Sequence, residues 1–318
     1  MGMKEGIGMV EDNQIKAKIS PFAIREDEIK TFDGKDGYVS MNQIVHKINI
    51  GHINEIHFAI LDLVNEFEFI TSRQIFQMLQ IKGIDPKSQD KLNNKLEQLV
   101  KCKILTRYYF TSNEGKGIYR IYCLEKMGKY LLNSKEVECK WQPSDNTKPV
   151  SMIKKRLAGN QTLIAYLRKV KAFESYIVKP AITAKTAGKT FKCHGSVKLT
   201  KNSKSIQFVF EVVRREEEWK KKFVDRMRLY KDFYENFVAG DSGFQSIPQL
   251  ILVCEDEKHM AECLKETITN QVEIPQIKLY FTTDLRQNEE SLENTLVNFK
   301  LVEGKYKMEN VELKLLGM

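Results

Sequence analysis

The sequence has no long hydrophobic run, and its six cysteines are scattered without a Cys-x-x-Cys pair. No apolar stretch reaches the roughly 20 residues that a membrane-spanning helix needs, so we predict no membrane span. We also expect no signal peptide, a cytoplasmic location and reduced thiols, because paired cysteines belong mainly to oxidising compartments. The cysteine spacing argues against a structural zinc site.

Motifs for catalysis and cofactor binding are missing as well. The five histidines lack metal-ligand spacing, and the closest pair, His52 and His57, lies five residues apart rather than four. No glycine-rich loop lies between a strand and a helix, and Ser242 has no histidine nearby to activate it. We therefore expect no cofactor, no metal and no small-molecule substrate.

Acidic residues are scarce in one long segment. Between residues 146 and 210 the only acid is Glu174, whereas the whole chain carries a net charge of +9. Such a one-sided segment repels itself and favours an anionic partner. We predict double-stranded DNA, with a membrane surface as a weaker alternative because the segment lacks an aromatic-rich amphipathic helix. The same charge on a merely solvated face is the structural alternative.

Residues 53–132 have the pattern of a winged helix-turn-helix domain. Apolar residues at helical spacing predict helices over 53–67, 72–80 and 87–101, with Thr71 and Ser72 at the start of the second. Two strand-like runs follow at 104–111 and 117–124, separated by a turn at 112–116. Three helices followed by a β-hairpin can place the third helix in a major groove and the hairpin against the DNA backbone.

The DNA contacts follow from the helical geometry. With Leu92, Leu96 and Leu99 turned to the core, Asn94 and Gln98 face outward and are the predicted base readers. Phosphate contacts are predicted from the third helix, the hairpin and the basic segment, at Lys87, Lys91, Lys101, Arg107, Lys116, Arg120, Lys154, Lys155, Arg156, Lys185 and Lys189. Asp90 and Glu97 oppose this interpretation, because a groove repels acids. Docking of a partner protein on the same helix is the alternative.

The remaining chain predicts a second domain with a mixed central sheet. Residues 1–52 form an N-terminal extension, 133–149 a polar linker and 150–318 the second domain. Its patterns predict a helix at 152–170, strands at 175–183, 190–199 and 205–213, and a long helix at 216–237. A strand at 249–254, a helix at 257–270, a strand at 277–282 and a short helix at 289–297 follow. Helices at 125–132 and 216–237 are the candidate surfaces for a homodimer.

Three segments in this order resemble the replication-relaxation family of Gram-positive mobile elements. They are IYRIYCLEKMG at 118–128, IKKRLAGN at 153–160, and FVFEV at 208–212 before a helix that ends in LYK at 229–231. The resemblance implies a winged helix followed by a restriction-endonuclease-like, PD-(D/E)xK-type domain. It also implies action on plasmid or other mobile DNA, in replication, transfer or transcriptional control.

The catalytic residues of such a nuclease domain are incomplete here. The chemistry needs an acid on the second core strand and Glu-x-Lys on the third, so that two carboxylates hold Mg²⁺. Glu211 is present, but Val213 stands where the lysine belongs, and residues 193–199 contain no carboxylate. We expect no catalytic activity, with Glu211 paired to Arg214, Arg215 or Lys198. A divergent nuclease that combines Glu211 with Glu174 or Glu216 is the alternative.

Overall fold

A computed structural model describes residues 20–113, 115–289, 295–302 and 305–311, with backbone alone for 115–118, 289 and 305. No helix in this part of the chain is both long and apolar enough to cross a membrane. Residues 1–19 of the predicted N-terminal extension and residues 312–318 of the predicted second domain lie outside the described residues. We call 20–134 the N-terminal module and 150–311 the C-terminal module.

Helices and a small antiparallel sheet alternate in the N-terminal module. Its sheet has the strand order β1-β3-β4-β2, and β1 was not predicted from the sequence. The elements in chain order are β1 (Ile29–Phe32), α1 (Met41–Asn49), α2 (Glu55–Phe67), β2 (Ile70–Thr71), α3 (Ser72–Ile81), α4 (Gln89–Lys101), β3 (Leu105–Ser112), β4 (Gly115–Leu124) and α5 (Lys126–Ser134).

Capping side chains fix where α3 and α4 begin. Thr71 accepts the backbone N–H of Gln74, whose side chain in turn accepts the backbone N–H of Thr71. Ser88 accepts the backbone N–H of Lys91, so α4 begins at Gln89. Lys87 therefore precedes the helix instead of lying in it, with a left-handed φ of 67°.

A seven-stranded mixed sheet forms the centre of the C-terminal module. Its order is β13-β12-β11-β10-β9-β8-β5, with β9, β10 and β11 parallel and the other neighbours antiparallel. The elements are α6 (Val150–Lys169), β5 (Phe173–Ile177), β6 (Ala181–Ala184), β7 (Lys189–Lys192), β8 (Gly195–Lys201), β9 (Lys204–Val212), α7 (Trp219–Glu235), β10 (Gln249–Cys254), α8 (Glu257–Thr269), β11 (Leu279–Thr283), α9 (Asp284–Glu289), β12 (Val297–Val302) and β13 (Lys305–Asn310).

Three sequence predictions are corrected in this module. The run 175–183 is broken near Pro180, which has no N–H to give to a ladder. The run 190–199 is divided between β7 and β8, and β7 pairs with β6 in a separate two-stranded hairpin. Of the predicted helix at 289–297, residues 290–294 lie outside the described residues, and its end is wrong because Val297 begins β12, which pairs with β13. Local periodicity cannot reveal such pairings between distant residues.

The two modules share one apolar core. Helix α6 packs against α3 of the N-terminal module and against β8 and β9 of the sheet. Asn160 of α6 is fully buried and donates its amide to the backbone oxygens of Phe67 and Phe69 at 3.4 and 2.7 Å. The core residues of α2, α3 and β4 are continuous with those of α6, β8 and β9.

The predicted linker at 133–149 and the segment before α1 are packed as well. Residues Pro143–Thr147 form a 3₁₀ turn, and Asn146 donates to the backbone oxygen of Leu124 at 2.9 Å. In the segment before α1, the backbone oxygen of Phe22 accepts a hydrogen bond from Arg214 at 3.2 Å. Arg214 also binds both carboxylate oxygens of Asp284. These contacts hold residues 20–28 against the C-terminal module.

Candidate functional site

The outward face of α4, made of Lys91, Asn94, Gln98 and Lys101, is exposed. We call these residues the α4 face. Lys87 is exposed beside it and pairs with Asp85 at 3.3 Å. The opposite side of the helix buries Leu92, Leu96, Leu99 and Val100. The structure therefore places the predicted base readers and the predicted helix lysines on one accessible surface.

Gln98 has a partner inside the fold. The ring nitrogen Nε2 of His57 lies 2.8 Å from Oε1 of Gln98, and Nδ1 of His57 lies 3.2 Å from the backbone nitrogen of Asn54. Nδ1 also lies 3.0 Å from Oδ1 of Asn54, so the donor at each contact depends on the tautomer of the ring. Burial lowers the pKa of His57, which favours the neutral ring. Asn94 is thus the less encumbered of the two predicted base readers.

The predicted hairpin arginines form an ion-pair network with acids from other elements. Arg107 binds Glu97 of α4 and Asp33, and Arg120 binds the same Asp33 carboxylate at 2.8 Å. Lys101 adds a contact of 3.7 Å to Glu97. Arg107 is mostly buried and fully engaged, whereas Arg120 is more than half exposed. The side chain of Lys116 lies outside the described residues.

Two of the predicted phosphate contacts are corrected by their burial. Lys154 is 2% exposed and binds Glu28 and the backbone oxygen of Ala23. Arg156 is 8% exposed and donates to the backbone oxygen of His194 at 3.3 Å. Side chains buried to this degree do not reach a phosphate on an external duplex. The basic run at 154–156 makes contacts within the fold instead of forming an exposed DNA-binding surface.

The other predicted basic residues are distributed over different elements. Lys155 pairs with Glu216 of the segment before α7. Lys185 and Lys189 are exposed on the β6–β7 hairpin, and Lys185 pairs with Asp241 at 2.6 Å. Within the described residues, none of these three lysines contacts the α4 face. The basic segment is therefore split between buried ties, a cleft and a hairpin.

A cleft of about 400 Å³ lies beside the carboxyl end of β9. We call it the Glu211 cleft. The charged residues that line it outnumber the neutral ones, and lysines and arginines outnumber glutamates: Glu68, Lys148, Lys155, Arg156, Lys179, Lys192, Glu211, Arg214, Glu216, Lys222 and Arg226. Phe69, Met152, Trp219 and Phe223 supply its apolar walls. Val213 lines it at the position that the Glu-x-Lys pattern assigns to lysine.

Glu211 is held by two neighbours within the cleft. Tyr230 donates to Oε2 at 2.8 Å, and Arg226 lies 3.2 Å from Oε1. Nδ1 of His194 lies 3.6 Å from Oε2 but accepts the backbone N–H of Val212 at 3.2 Å, and burial lowers the pKa of His194. Burial would raise the pKa of Glu211, but the Arg226 charge, the nearby His194 and the Tyr230 hydrogen bond outweigh it and lower the pKa to about 2. The carboxylate is therefore ionised and fully occupied.

The partners predicted for Glu211 are wrong. Arg214 is taken by Asp284, and Arg215 binds Asp256 at 2.6 Å. Lys198 pairs with Glu174 at 2.6 Å on the exposed side of β8. Arg226 and Tyr230 were missed because they lie 15 and 19 residues further along the chain, on α7. Their spacing of four places them on one helix face, which is the signal that sequence reasoning offered.

The acids proposed for a divergent nuclease are separated or neutralised. Glu174 binds Lys198 and Thr200. Glu216 lines the same cleft as Glu211 but pairs with Lys155 and, at 3.7 Å, with Lys222. Among the described residues, no group of three or more histidines, cysteines, aspartates or glutamates is arranged to hold a metal ion.

Comparisons with known proteins add a weak structural likeness. No protein-family profile matches the sequence, and no curated protein matches it. Among solved structures, the restriction endonuclease FokI matches with a TM-score of 0.25 and 8% identity over 73% of this chain. The match spans 43% of the endonuclease chain, so this chain covers less than half of its length. A likeness at that TM-score carries no argument about fold or chemistry.

Proposed function

We propose that this protein binds double-stranded DNA through the α4 face and has no catalytic activity. The observation that carries the proposal is the exposure of Lys91, Asn94, Gln98 and Lys101 on one side of a helix whose other side is core. In the winged-helix interpretation, α2, α3 and α4 precede the β3–β4 hairpin, and α4 enters the major groove. Asn94 reads an adenine edge, and the lysines hold phosphates.

The ion pairs around α4 support this role. Glu97 opposed DNA binding in the sequence, but Arg107 and Lys101 neutralise its charge. Only Asp90 remains as an exposed acid among the residues of α4 that the structure describes. The repulsion between this helix and a phosphate backbone is therefore smaller than the sequence alone suggests.

The resemblance to the replication-relaxation family extends the proposal to biological context. The chain would serve replication, transfer or transcriptional control of a plasmid or other mobile element. Its C-terminal module would be a restriction-endonuclease-like domain without nuclease chemistry. The order α6-β5-β8-β9-α7-β10, with three antiparallel strands followed by a helix and a parallel strand, supports that interpretation. Homodimerisation through α5 or α7 belongs to the same proposal.

A mobility-shift assay across salt concentrations tests the function. Asn94→Ala should reduce the preference for a selected sequence, since one bidentate base contact contributes about 1–3 kcal/mol of discrimination. Asn93→Ala, one position round the same helix and also exposed, is the matched control. Replacing Lys91 and Lys101 by glutamine should lower the salt slope by about one per lost phosphate contact. Absence of DNA binding by the wild type would end the proposal.

Protein docking on α4 and catalysis by the Glu211 cleft are the two competing functions. Salt-insensitive binding of a protein, with none to DNA, would favour docking. The observation in favour of catalysis is that Glu211 and Glu216 line one cleft. Mg²⁺-dependent cleavage of supercoiled plasmid, abolished by Glu211→Ala, would establish it. We expect no cleavage, because each of these carboxylates is bound by a cation of the chain.

A further inference from the structure

The charges of the Glu211 cleft do not balance. Arg214 is satisfied by Asp284 and Lys148 by Asp145, which leaves six lysines and arginines facing three glutamates. Each glutamate already has its own close cation: Glu68 has Lys179, Glu211 has Arg226 and Glu216 has Lys155. The positive excess therefore has no counterpart among the described residues that line the cleft.

Part of the excess positive charge is on the buried guanidinium of Arg156, and part is on the exposed lysines Lys192 and Lys222 at the rim of the cleft. Arg156 is 8% exposed, and burial lowers its pKa only to about 10, so the guanidinium stays charged at neutral pH. Its closest carboxylate, on Glu68, lies 3.8 Å away and is bound more closely by Lys179. Lys192 is exposed and makes no ion pair with a described residue, and Lys222 reaches Glu216 only at 3.7 Å.

A second cavity of about 310 Å³ continues the cleft along the junction of the two modules. Glu68, Phe69, Lys148, Lys179 and Lys192 line both spaces. The chain has two tryptophans, and one lines each space: Trp219 the Glu211 cleft and Trp141 the second cavity. Cations alternating with aromatic rings are the surface that binds a phosphate together with an attached base.

We propose that the Glu211 cleft binds the phosphate and nucleoside of a single nucleotide. The lysines at the rim and Arg156 bind the phosphate, and Phe69, Met152 and Trp219 contact the nucleoside. Met152 is 53% exposed at this wall, which is unusual for a large apolar side chain and suits a ligand with an apolar face. The volume lies within the range of small-molecule sites and fits one nucleotide, not a duplex. The ligand has two sources, a free mononucleotide or the phosphorylated end of a single strand that continues into the second cavity.

The test is a titration of the full chain followed by tryptophan fluorescence, with calorimetry in parallel. The probes are deoxyadenosine 5′-monophosphate, deoxyadenosine, inorganic phosphate and a short single-stranded oligonucleotide with and without a 5′-phosphate. We expect saturable binding of the mononucleotide or the phosphorylated strand, with inorganic phosphate and deoxyadenosine at least about tenfold weaker, since each alone makes only part of the contacts. Whichever phosphorylated probe binds identifies the source.

The variants Lys192→Gln and Lys222→Gln together should weaken that binding about tenfold, because two charge-assisted contacts are lost. The matched control is Lys204→Gln with Lys221→Gln, which removes the same charge from two exposed positions on β9 and α7 outside the lining. No binding of either phosphorylated probe overturns the proposal. The proposal is also overturned if inorganic phosphate or deoxyadenosine binds as tightly as the phosphorylated probes, or if both double variants lose binding affinity equally.

This site is independent of the α4 face. Asn94→Ala should leave nucleotide binding unchanged, and the Lys192→Gln/Lys222→Gln variant should keep its duplex sequence preference. Failure of duplex binding with intact nucleotide binding would remove the proposed function and leave the cleft proposal in place.

Discussion

The Tyr230 hydroxyl donates a hydrogen bond of 2.8 Å to Oε2 of Glu211, and both side chains are buried. Tyr234, one turn further along α7, is equally buried, but its hydroxyl has no hydrogen-bond partner among the described residues. The same residue type on the same helix thus occurs once with a charged acceptor and once without. Comparing these two tyrosines therefore isolates the contribution that one hydrogen bond to a buried carboxylate makes to the free energy of unfolding.

Tyr230→Phe should lower the free energy of unfolding by about 1.5–3 kcal/mol at neutral pH, the usual range for a hydrogen bond to a charged group. Tyr234→Phe removes a hydroxyl that makes no bond and should cost little or stabilise slightly. Urea unfolding of both variants measures the difference. Equal losses of unfolding free energy in the two variants would show that the hydrogen bond from Tyr230 to Glu211 does not stabilise the fold.

Acid should weaken the fold through Glu211. Its pKa is about 2 in the folded chain against an ordinary value of 4.5, so the unfolded state binds the proton more readily. The stabilisation is therefore fully present above pH 4.5 and is lost as pH falls towards 2, with a total of about 3 kcal/mol.

Urea unfolding of the wild type and of Glu211→Gln at several pH values measures this contribution. The wild type should be the more stable protein near neutral pH, and the two curves should converge at acidic pH. A difference that stays constant between pH 6 and pH 2 would mean that the carboxylate does not titrate as the ion pair with Arg226 requires.

Local sequence signals predicted α3 and α8 closely, and α4 less so. Thr71 was predicted at the start of α3, and its side chain accepts a backbone N–H of the first turn. Ser88 of α4 and Asp256 of α8 make the same contact but were not predicted as caps, and α4 was predicted to begin at Lys87, before its actual start at Gln89. Helix α8 was predicted at 257–270 and runs Glu257–Thr269. Caps and periodicity depend on residues within a few positions of each other, so the sequence carries them directly.

The run Lys154-Lys155-Arg156 shows where such reasoning fails. In sequence it resembles an exposed basic patch, because its acidic partners Glu28, Glu68 and Glu216 lie about 60 or more residues away. One local signal did point to burial. Ala158 and Gly159 follow within the same helix, and a Cβ at position 159 would lie 2.9 Å from Cβ of His194. A glycine in a helix interior indicates close packing of another segment.

Lys154 should therefore matter for stability and not for DNA affinity. Lys154→Met strands the Glu28 carboxylate, which is about 10% exposed, and should destabilise the chain by about 3–5 kcal/mol. Lys154→Met with Glu28→Gln removes both charges and should recover much of the loss. Thermal unfolding gives the stability, and a shift assay on the folded fraction gives the affinity. Normal stability with weaker DNA binding would restore Lys154 as a phosphate contact.

The shared core predicts that the two modules unfold together. Trp141→Phe leaves Trp219 on α7 as the fluorescent reporter, and Trp219→Phe leaves Trp141, which donates to Asn146 at 3.1 Å in the segment packed on the N-terminal module. The two variants should show coincident urea transitions, because α6 packs against both modules. Separate midpoints would identify independently stable domains and a functional linker.

Asn160→Leu strengthens this test. Its amide joins α6 to the backbone oxygens of Phe67 and Phe69, and the Phe69 oxygen loses the 2.7 Å contact in the variant. The Phe67 oxygen still accepts the backbone N–H of Phe69 at 2.8 Å, so we expect a loss of about 1–3 kcal/mol for one unsatisfied carbonyl. In a single cooperative unit, both tryptophan reporters register that loss equally. If only the Trp141 signal moved to lower urea, the contacts of α6 with the N-terminal module would be local and the modules would fold separately.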